Sequence, residues 1–181
     1  PYEQLGEVLN HLVKGKHGTI GILGNHDYGL NWEEPEVADK ISEKLTSSGM
    51  QLLRNEQVEL NGLNFIGFDD YLGENFNPEK AMSSFDSSKA TIALCHNPDV
   101  CDLDVWRDYN SWILAGHTHG GQVRLPFLSP PVVPVRNKRY TAGQFELSNN
   151  RTLYINRATG HLYQVRFNVR HEITVFELQN A

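Results

Sequence analysis

The sequence predicts an α/β protein, with a mixed sheet or two packed sheets and helices outside. Two observations carry this reading. Stretches of helical spacing alternate with short apolar β-type runs through the first two thirds of the chain, as in parallel sheets. After residue 121 the texture changes to proline-rich loop and short alternating runs, as in antiparallel pairing. The 181 residues, 39% hydrophobic and 21% charged, have the size and balance of one globular domain.

Leu5, Val8, Leu9, Leu12 and Val13 recur at helical spacing and predict a helix over 2–14, bracketed by Gly15 and Gly18. Thr19 to Leu23 reads as a short buried strand. Val37, Ile41 and Leu45 predict a second helix, with Pro35 suited to its first turn and Gly49 to its stop. "VELNGLNFIGF" (58–68) reads as a hairpin turning at Asn61-Gly62. Thr91 to Cys95 and Ser111 to Ala115 are further buried strands. "RLPFLSPPVVPVRN" (124–137) is too proline-rich for a helix or a central strand and predicts a long ordered loop. "QFELS" (144–148) and "TLYIN" (152–156) are strands joined at Asn149-Asn150. "EITVFEL" (172–178) is a closing β-rich run.

Composition narrows the function classes. No apolar run approaches the roughly 18 residues of a membrane span. Cys95 and Cys101 are the two cysteines, too few for a disulfide framework, and Cys95 reads as a buried free thiol. Net charge is −6 and no aromatic-basic stripe appears, so nucleic-acid binding is not expected. The charge is uneven: residues 1–121 hold 8 Lys+Arg against 19 Asp+Glu, and residues 122–181 hold 8 against 3. That asymmetry suits a surface that meets an anion, or simply an uneven solvated one.

Three of the predicted strands each end in a polar cluster: Gly24-Asn25-His26-Asp27, His96-Asn97-Pro98-Asp99 and Gly116-His117-Thr118-His119. The carboxyl ends of parallel strands lie together, so these clusters are expected to converge. Each cluster alone fits a surface histidine or ordinary turn chemistry. Their co-occurrence points to a metal site, because imidazole nitrogens with amide or carboxylate oxygens suit Mn, Fe, Zn or Co. Gly116, Gly120 and Gly121 are expected to supply positive φ and room beside the ion. His11, His17, His161 and His171 have no such context. No H-E-x-x-H occurs, which weakens a single-zinc hydrolase reading.

"ILGNHDYG", "LCHNPD", "AGHTHGGQVRLP" and "RFNVRHEITVFEL" resemble the calcineurin-like metallophosphoesterases, specifically their bacterial phosphohydrolase branch. The resemblance runs from about residue 5 to the C-terminus. It implies the C-terminal portion of a four-layer α-β-β-α sandwich. Residues 1–181 then form a single metallophosphoesterase domain that lacks the family's two earlier motifs, Asp-x-His and Gly-Asp-x-x-Asp. It further implies two divalent transition-metal ions (Mn, Fe, Zn or Co) and a bridging hydroxide that attacks phosphorus in line. Phosphomonoester, phosphodiester or pyrophosphate bonds would be hydrolysed.

By matching positions, Asn25, His96 and His117 would bind one ion and His119 the other. His26 would be the catalytic residue beside the phosphate, and Asp27 would orient the loop. Without the earlier motifs the stretch itself is expected to have little activity, and strands at 19–23 and 91–95 are expected to lack neighbours. The expected substrate is a phosphate-ester small molecule or a lipid-linked phosphodiester. Phe127, Leu128, Val132, Val133 and Val135 would form either an apolar rim for it or a packed structural loop. Peripheral membrane contact, and a place in the bacterial cytoplasm or at its membrane with a preceding signal or anchor, fit the same picture. The alternative is a non-catalytic metal-binding module that keeps the fold.

Overall fold

The computed structural model describes residues 5–161 and 164–179. β3 (Glu56–Leu60) and β4 (Leu63–Gly67) form the antiparallel hairpin expected around Asn61-Gly62. Both turn residues take positive φ, 51° and 80°, as a tight two-residue turn requires. β4 pairs in parallel with β5 (Thr91–Leu94), β5 with β6 (Trp112–Ala115), and β6 with β8 (Thr152–Ile155). β7 (Gly143–Glu146) closes the far edge antiparallel to β8. The result is one six-stranded mixed sheet in the order β3-β4-β5-β6-β8-β7.

One face of this sheet is built by period-2 burial. Ile66 and Phe68, Ala93 and Cys95, Ile113 and Ala115, and Leu153 and Ile155 are buried pairs from adjacent strands. Trp106 and Tyr109, from the β5–β6 connection, pack over them with ring centroids 5.2 Å apart, and Trp106 meets Phe68 at 5.4 Å. Val133 and Val135 of the proline-rich loop, with Tyr140 just after it, complete this core. The loop is therefore ordered although it forms no regular element.

A smaller unit precedes the sheet. β1 (Ile20–Gly21) pairs in parallel with β2 (Gln51–Leu52). α2 (Pro35–Ser47) covers it, burying Ala38 and Ile41 against Leu23 and Tyr28. Pro35 occupies its first turn and Gly49 takes φ 92° just beyond its end, as the sequence predicts. A four-residue helix, α3 (Pro78–Ala81), starts at an Asn77 cap. Among the described residues, no helix is long and apolar enough to cross a membrane.

Four expectations differ from the structure. The helix predicted over 2–14 is α1 (Leu5–Leu9), with residues 2–4 outside the described residues. Val8 and Val13 are exposed, and short helices gain their stability from a packed apolar face. The strand at 19–23 is reduced to the two residues of β1. The strand at 91–95 is not an edge, because β4 and β6 flank β5 on both sides. Residues 172–178 form no strand. They lie against the sheet through side chains: Tyr154 Oη donates to Glu172, Asn156 Nδ2 donates to Thr174 Oγ1 at 2.8 Å, and Phe176 packs on Tyr154 and Trp112. Ile173 and Val175, on the opposite side, are 84% and 89% exposed. Alternation reports which side chains are covered; it does not supply the neighbouring ladder that makes a strand.

Candidate functional site

β5 and β6 end side by side, held by Cys95 N–H to the Leu114 carbonyl at 3.0 Å and Gly116 N–H to the His96 carbonyl at 3.0 Å. Just past those ends stand His96 and His117. The 3₁₀ turn Asn25–Tyr28, which follows Leu23, brings Asn25 against them. Asn25 Oδ1 lies 3.1 Å from His96 Nε2 and 3.2 Å from His117 Nδ1, and the two ring nitrogens are 3.2 Å apart. The three side chains, remote in sequence, thus form a nearly equilateral triangle of donor atoms, with Asn25 and His117 buried.

This triangle fits a divalent transition-metal ion. Ligands at about 2.1 Å from a metal are roughly 3.0 Å apart across an octahedral edge and roughly 3.4 Å across a tetrahedral one. The observed separations lie between those values. His117 Nε2 donates to the Pro134 carbonyl at 2.8 Å, which leaves the lone pair on Nδ1, inside the triangle. Burial, and then the neighbouring His117, His119 and His26 rings, push the His96 imidazole down to about 3, so it stays neutral. Burial likewise lowers His117.

The backbone around the triangle is unusual. Gly116 does not take the positive φ expected of it. Instead His117 and His119 do, at 66° and 51°, along with Gly120, Gly121 and Gln122. For residues with side chains this conformation costs of order 1 kcal/mol each and is concentrated at functional sites. Gly24 answers a different need: a Cβ there would lie 2.8 Å from the His96 ring.

His119 stands apart from the triangle. Its ring lies beside the Gly160 carbonyl, and its Nδ1 is buried with no hydrogen-bond partner. Among the described residues no group of three or more His, Cys, Asp or Glu side chains converges; the triangle holds two histidines and an amide. His26 is exposed, with its ring edge-on to Trp32 at 6.3 Å. His26, His119 and the triangle line one cavity of about 700 Å³, walled by apolar groups including Ile22, Trp32, Pro131 and Val132. Asp27 also borders the cavity and accepts the Gly24 N–H on Oδ2 at 2.7 Å, which fixes the turn that carries Asn25. Burial raises its carboxyl above the usual range.

Two supporting groups have roles the sequence did not disclose. Asp99, in the "HNPD" motif, accepts the backbone N–H groups of Arg136 at 2.7 Å and Asn137 at 3.0 Å. It anchors the proline-rich loop whose Pro134 carbonyl orients His117. Asp69 and Asp70 follow β4 at the same end of the sheet and are fully buried. Tyr28 Oη donates to Asp69 Oδ1 at 2.6 Å, and Arg54 Nε donates to Asp69 Oδ2 at 2.9 Å. This ties the Asn25–Tyr28 turn to the sheet. Burial, then the bond to Asp69, push the Tyr28 hydroxyl up to about 12. Burial raises Asp70 to about 6, and its Oδ2 has no partner. The signal was present: "FIGFDD" is a fourth apolar run that ends in polar residues.

The chain is similar to several curated proteins. It is 35% identical over 166 residues to the phosphodiesterase YaeI of Escherichia coli, covering 88% of this chain and 58% of that protein. It is 31% identical over 171 residues to the uncharacterized metallophosphoesterase YkuE of Bacillus subtilis, covering 91% and 57%. It is 30% identical over 140 residues to the UDP-2,3-diacylglucosamine pyrophosphatase LpxG of Chlamydia muridarum, covering 72% and 42%. The chain thus spans about half the length of the curated relatives it matches. No family model matches it, and no solved structure matches it significantly. With relatives of this kind aligned over most of its residues, the chain belongs to the bacterial metallophosphoesterases.

Proposed function

We propose that the protein hydrolyses phosphoester bonds with the help of bound divalent metal, and that the Asn25–His96–His117 triangle is the heart of its metal centre. The observation that carries this is the mutual 3.1–3.2 Å spacing of three donor atoms delivered by three separate motifs. Asn25 Oδ1, His96 Nε2 and His117 Nδ1 would hold one ion (Mn, Fe, Zn or Co), and His119 Nδ1 would serve a second. When bound, such ions lower the pKa of water and take up charge on the phosphoryl oxygens. The four-layer sandwich of the family is part of the same proposal for the whole protein.

The chain's own residues have distinct tasks. His117 is fixed in orientation by the Pro134 carbonyl. Asp27 and Tyr28 hold the turn on which Asn25 and His26 sit. His26, open to the cavity, would hydrogen bond a phosphoryl oxygen or give its proton to the departing oxygen. The apolar wall of Ile22, Trp32 and Val132 would exclude water and take an apolar substituent of the substrate. A lipid-linked phosphodiester or pyrophosphate fits that wall, and relatives named as a phosphodiesterase and a diacylglucosamine pyrophosphatase support the same bond classes.

The test is metal analysis of the whole protein alongside hydrolysis of bis(p-nitrophenyl) phosphate. The proposal expects at least about one ion per chain and turnover that falls roughly 100-fold or more in His26→Ala with metal content unchanged. A non-catalytic metal-binding module would instead keep all of its function in that variant.

A further inference from the structure

Residues 124–139 divide their apolar side chains between two environments. Val133 and Val135 are buried in the core, whereas Leu125, Phe127, Leu128 and Val132 face solvent. Phe127 is fully exposed at the loop's tip and takes φ 67°, a strained conformation for a bulky aromatic residue. A strained, fully exposed aromatic ring with three other exposed apolar side chains beside it is a starting point for a functional hypothesis.

The groove beside this tip is lined by basic and no acidic side chains, while Asp99 and Asp102 meet the loop at its other end, at residues 136–140. Between Asp108 and Glu172 the sequence has eight Lys+Arg and a single acid, Glu146. Phe127 and Leu128 share a groove of about 900 Å³ with Arg124, Lys138 and Arg139. Lys138 is engaged with the Val133 and Val135 carbonyls. The guanidinium groups of Arg124 and Arg139 have no hydrogen-bond or ion-pair partner among the described residues. Pro131 and Val132 border both this groove and the candidate metal cavity, so the two are contiguous.

Exposed apolar side chains beside unpaired arginines fit a surface of acyl chains beneath anionic headgroups. We propose that the 124–139 loop docks the protein on an anionic lipid bilayer, with Leu125, Phe127 and Leu128 entering the acyl boundary and Arg124 and Arg139 meeting headgroup phosphates. The adjoining cavity would then open at the membrane surface. Docking through this loop does not depend on the metal chemistry of the neighbouring cavity.

The experiment is sedimentation of the full-length protein with phosphatidylcholine vesicles, with and without phosphatidylglycerol. A Phe127→Trp variant supplies a local fluorescence probe. Binding is expected to require phosphatidylglycerol and to weaken with salt. It should fall about tenfold or more in Phe127→Ser with Leu128→Ser, and about 30-fold in Arg124→Gln with Arg139→Gln. Indole emission of the Phe127→Trp variant, corrected for that of the parent, should shift to the blue on adding anionic vesicles and not on adding neutral ones. All four side chains project outward, so unchanged circular dichroism and melting would certify the fold. Undiminished vesicle binding by both double variants, or an emission unmoved by anionic vesicles, would overturn the proposal.

Discussion

His117 and Pro134 meet through a 2.8 Å hydrogen bond from the imidazole Nε2 to the backbone carbonyl. That bond decides which nitrogen of His117 is left for the triangle. It also makes a proline-rich loop, 17 residues downstream, part of the site's geometry. The loop in turn is pinned by Asp99, which accepts two of its backbone N–H groups.

Asp99→Ala should therefore weaken metal binding although Asp99 lies outside the triangle. Partners that orient a metal-bound histidine are worth about 10–100-fold in affinity. Calorimetric titration of the apoprotein with Zn²⁺ or Mn²⁺ should show that loss. An affinity equal to that of the parent would mean that the loop does not orient His117.

Gly24→Ala offers a steric test of the same site. The added methyl would stand 2.8 Å from the His96 ring and must push it out of place. Metal affinity should drop about tenfold or more. Gly6→Ala, where nothing lies within 4 Å, is the matched control and should leave affinity unchanged.

Tyr28→Phe removes the 2.6 Å bond to Asp69 and also a 3.1 Å bond from Arg54. Asp69 keeps Arg54, so the loss should be modest, about 1–2 kcal/mol. Urea unfolding would measure it. The same variant should raise KM or lower kcat for bis(p-nitrophenyl) phosphate, since the turn carrying Asn25 and His26 loses a tether. A purely structural role predicts the stability change without the kinetic one.

Asp70 predicts a specific pH dependence. Its carboxyl is raised to about 6 in the fold, against an ordinary value of 3.8. The folded state thus holds this proton more tightly than the unfolded chain does, so stability is lost as pH rises from about 4 to about 6. Asp70→Asn, a neutral mimic of the protonated acid, should be more stable than the parent at pH 7 by up to roughly 2–3 kcal/mol. At pH 4 the advantage should vanish. Glu172 works in the opposite direction. Burial would raise it, but hydrogen bonds from Tyr154, Thr174 and Arg157 together outweigh that and hold it down to about 2. Its contribution persists above its ordinary value of 4.5 and is lost as pH falls toward 2.

Much of the sheet was legible in the sequence for local reasons. Asn61-Gly62 forces a tight turn, and the apolar runs at 91–95 and 112–115 are too short and too β-rich for helices. The meeting of His96 and His117 followed from placing their motifs at the ends of parallel strands; Asn25 joins them from a turn after β1, which belongs to a separate two-stranded sheet. What escaped depends on long-range packing. Residues 172–178 alternate like a strand, yet their contacts with the sheet run through Tyr154, Asn156 and Trp112 side chains. Of the three glycines expected at positive φ, Gly120 and Gly121 take it and Gly116 does not, while His117 and His119 take it as well. Asp69 and Asp70 were hidden because the hairpin reading stopped at Phe68. The partner that fixes the His117 tautomer is a carbonyl, which no side-chain pattern reveals.

The most direct test is the divalent metal content of the purified whole protein, compared with that of His96→Ala and His117→Ala, after equal exposure to Zn²⁺ or Mn²⁺. His17→Ala, at an exposed position outside the lining of the cavity, is the control. The account predicts that each triangle variant loses about one ion per chain while the control and the fold are unchanged. Full metal content in His117→Ala would contradict it.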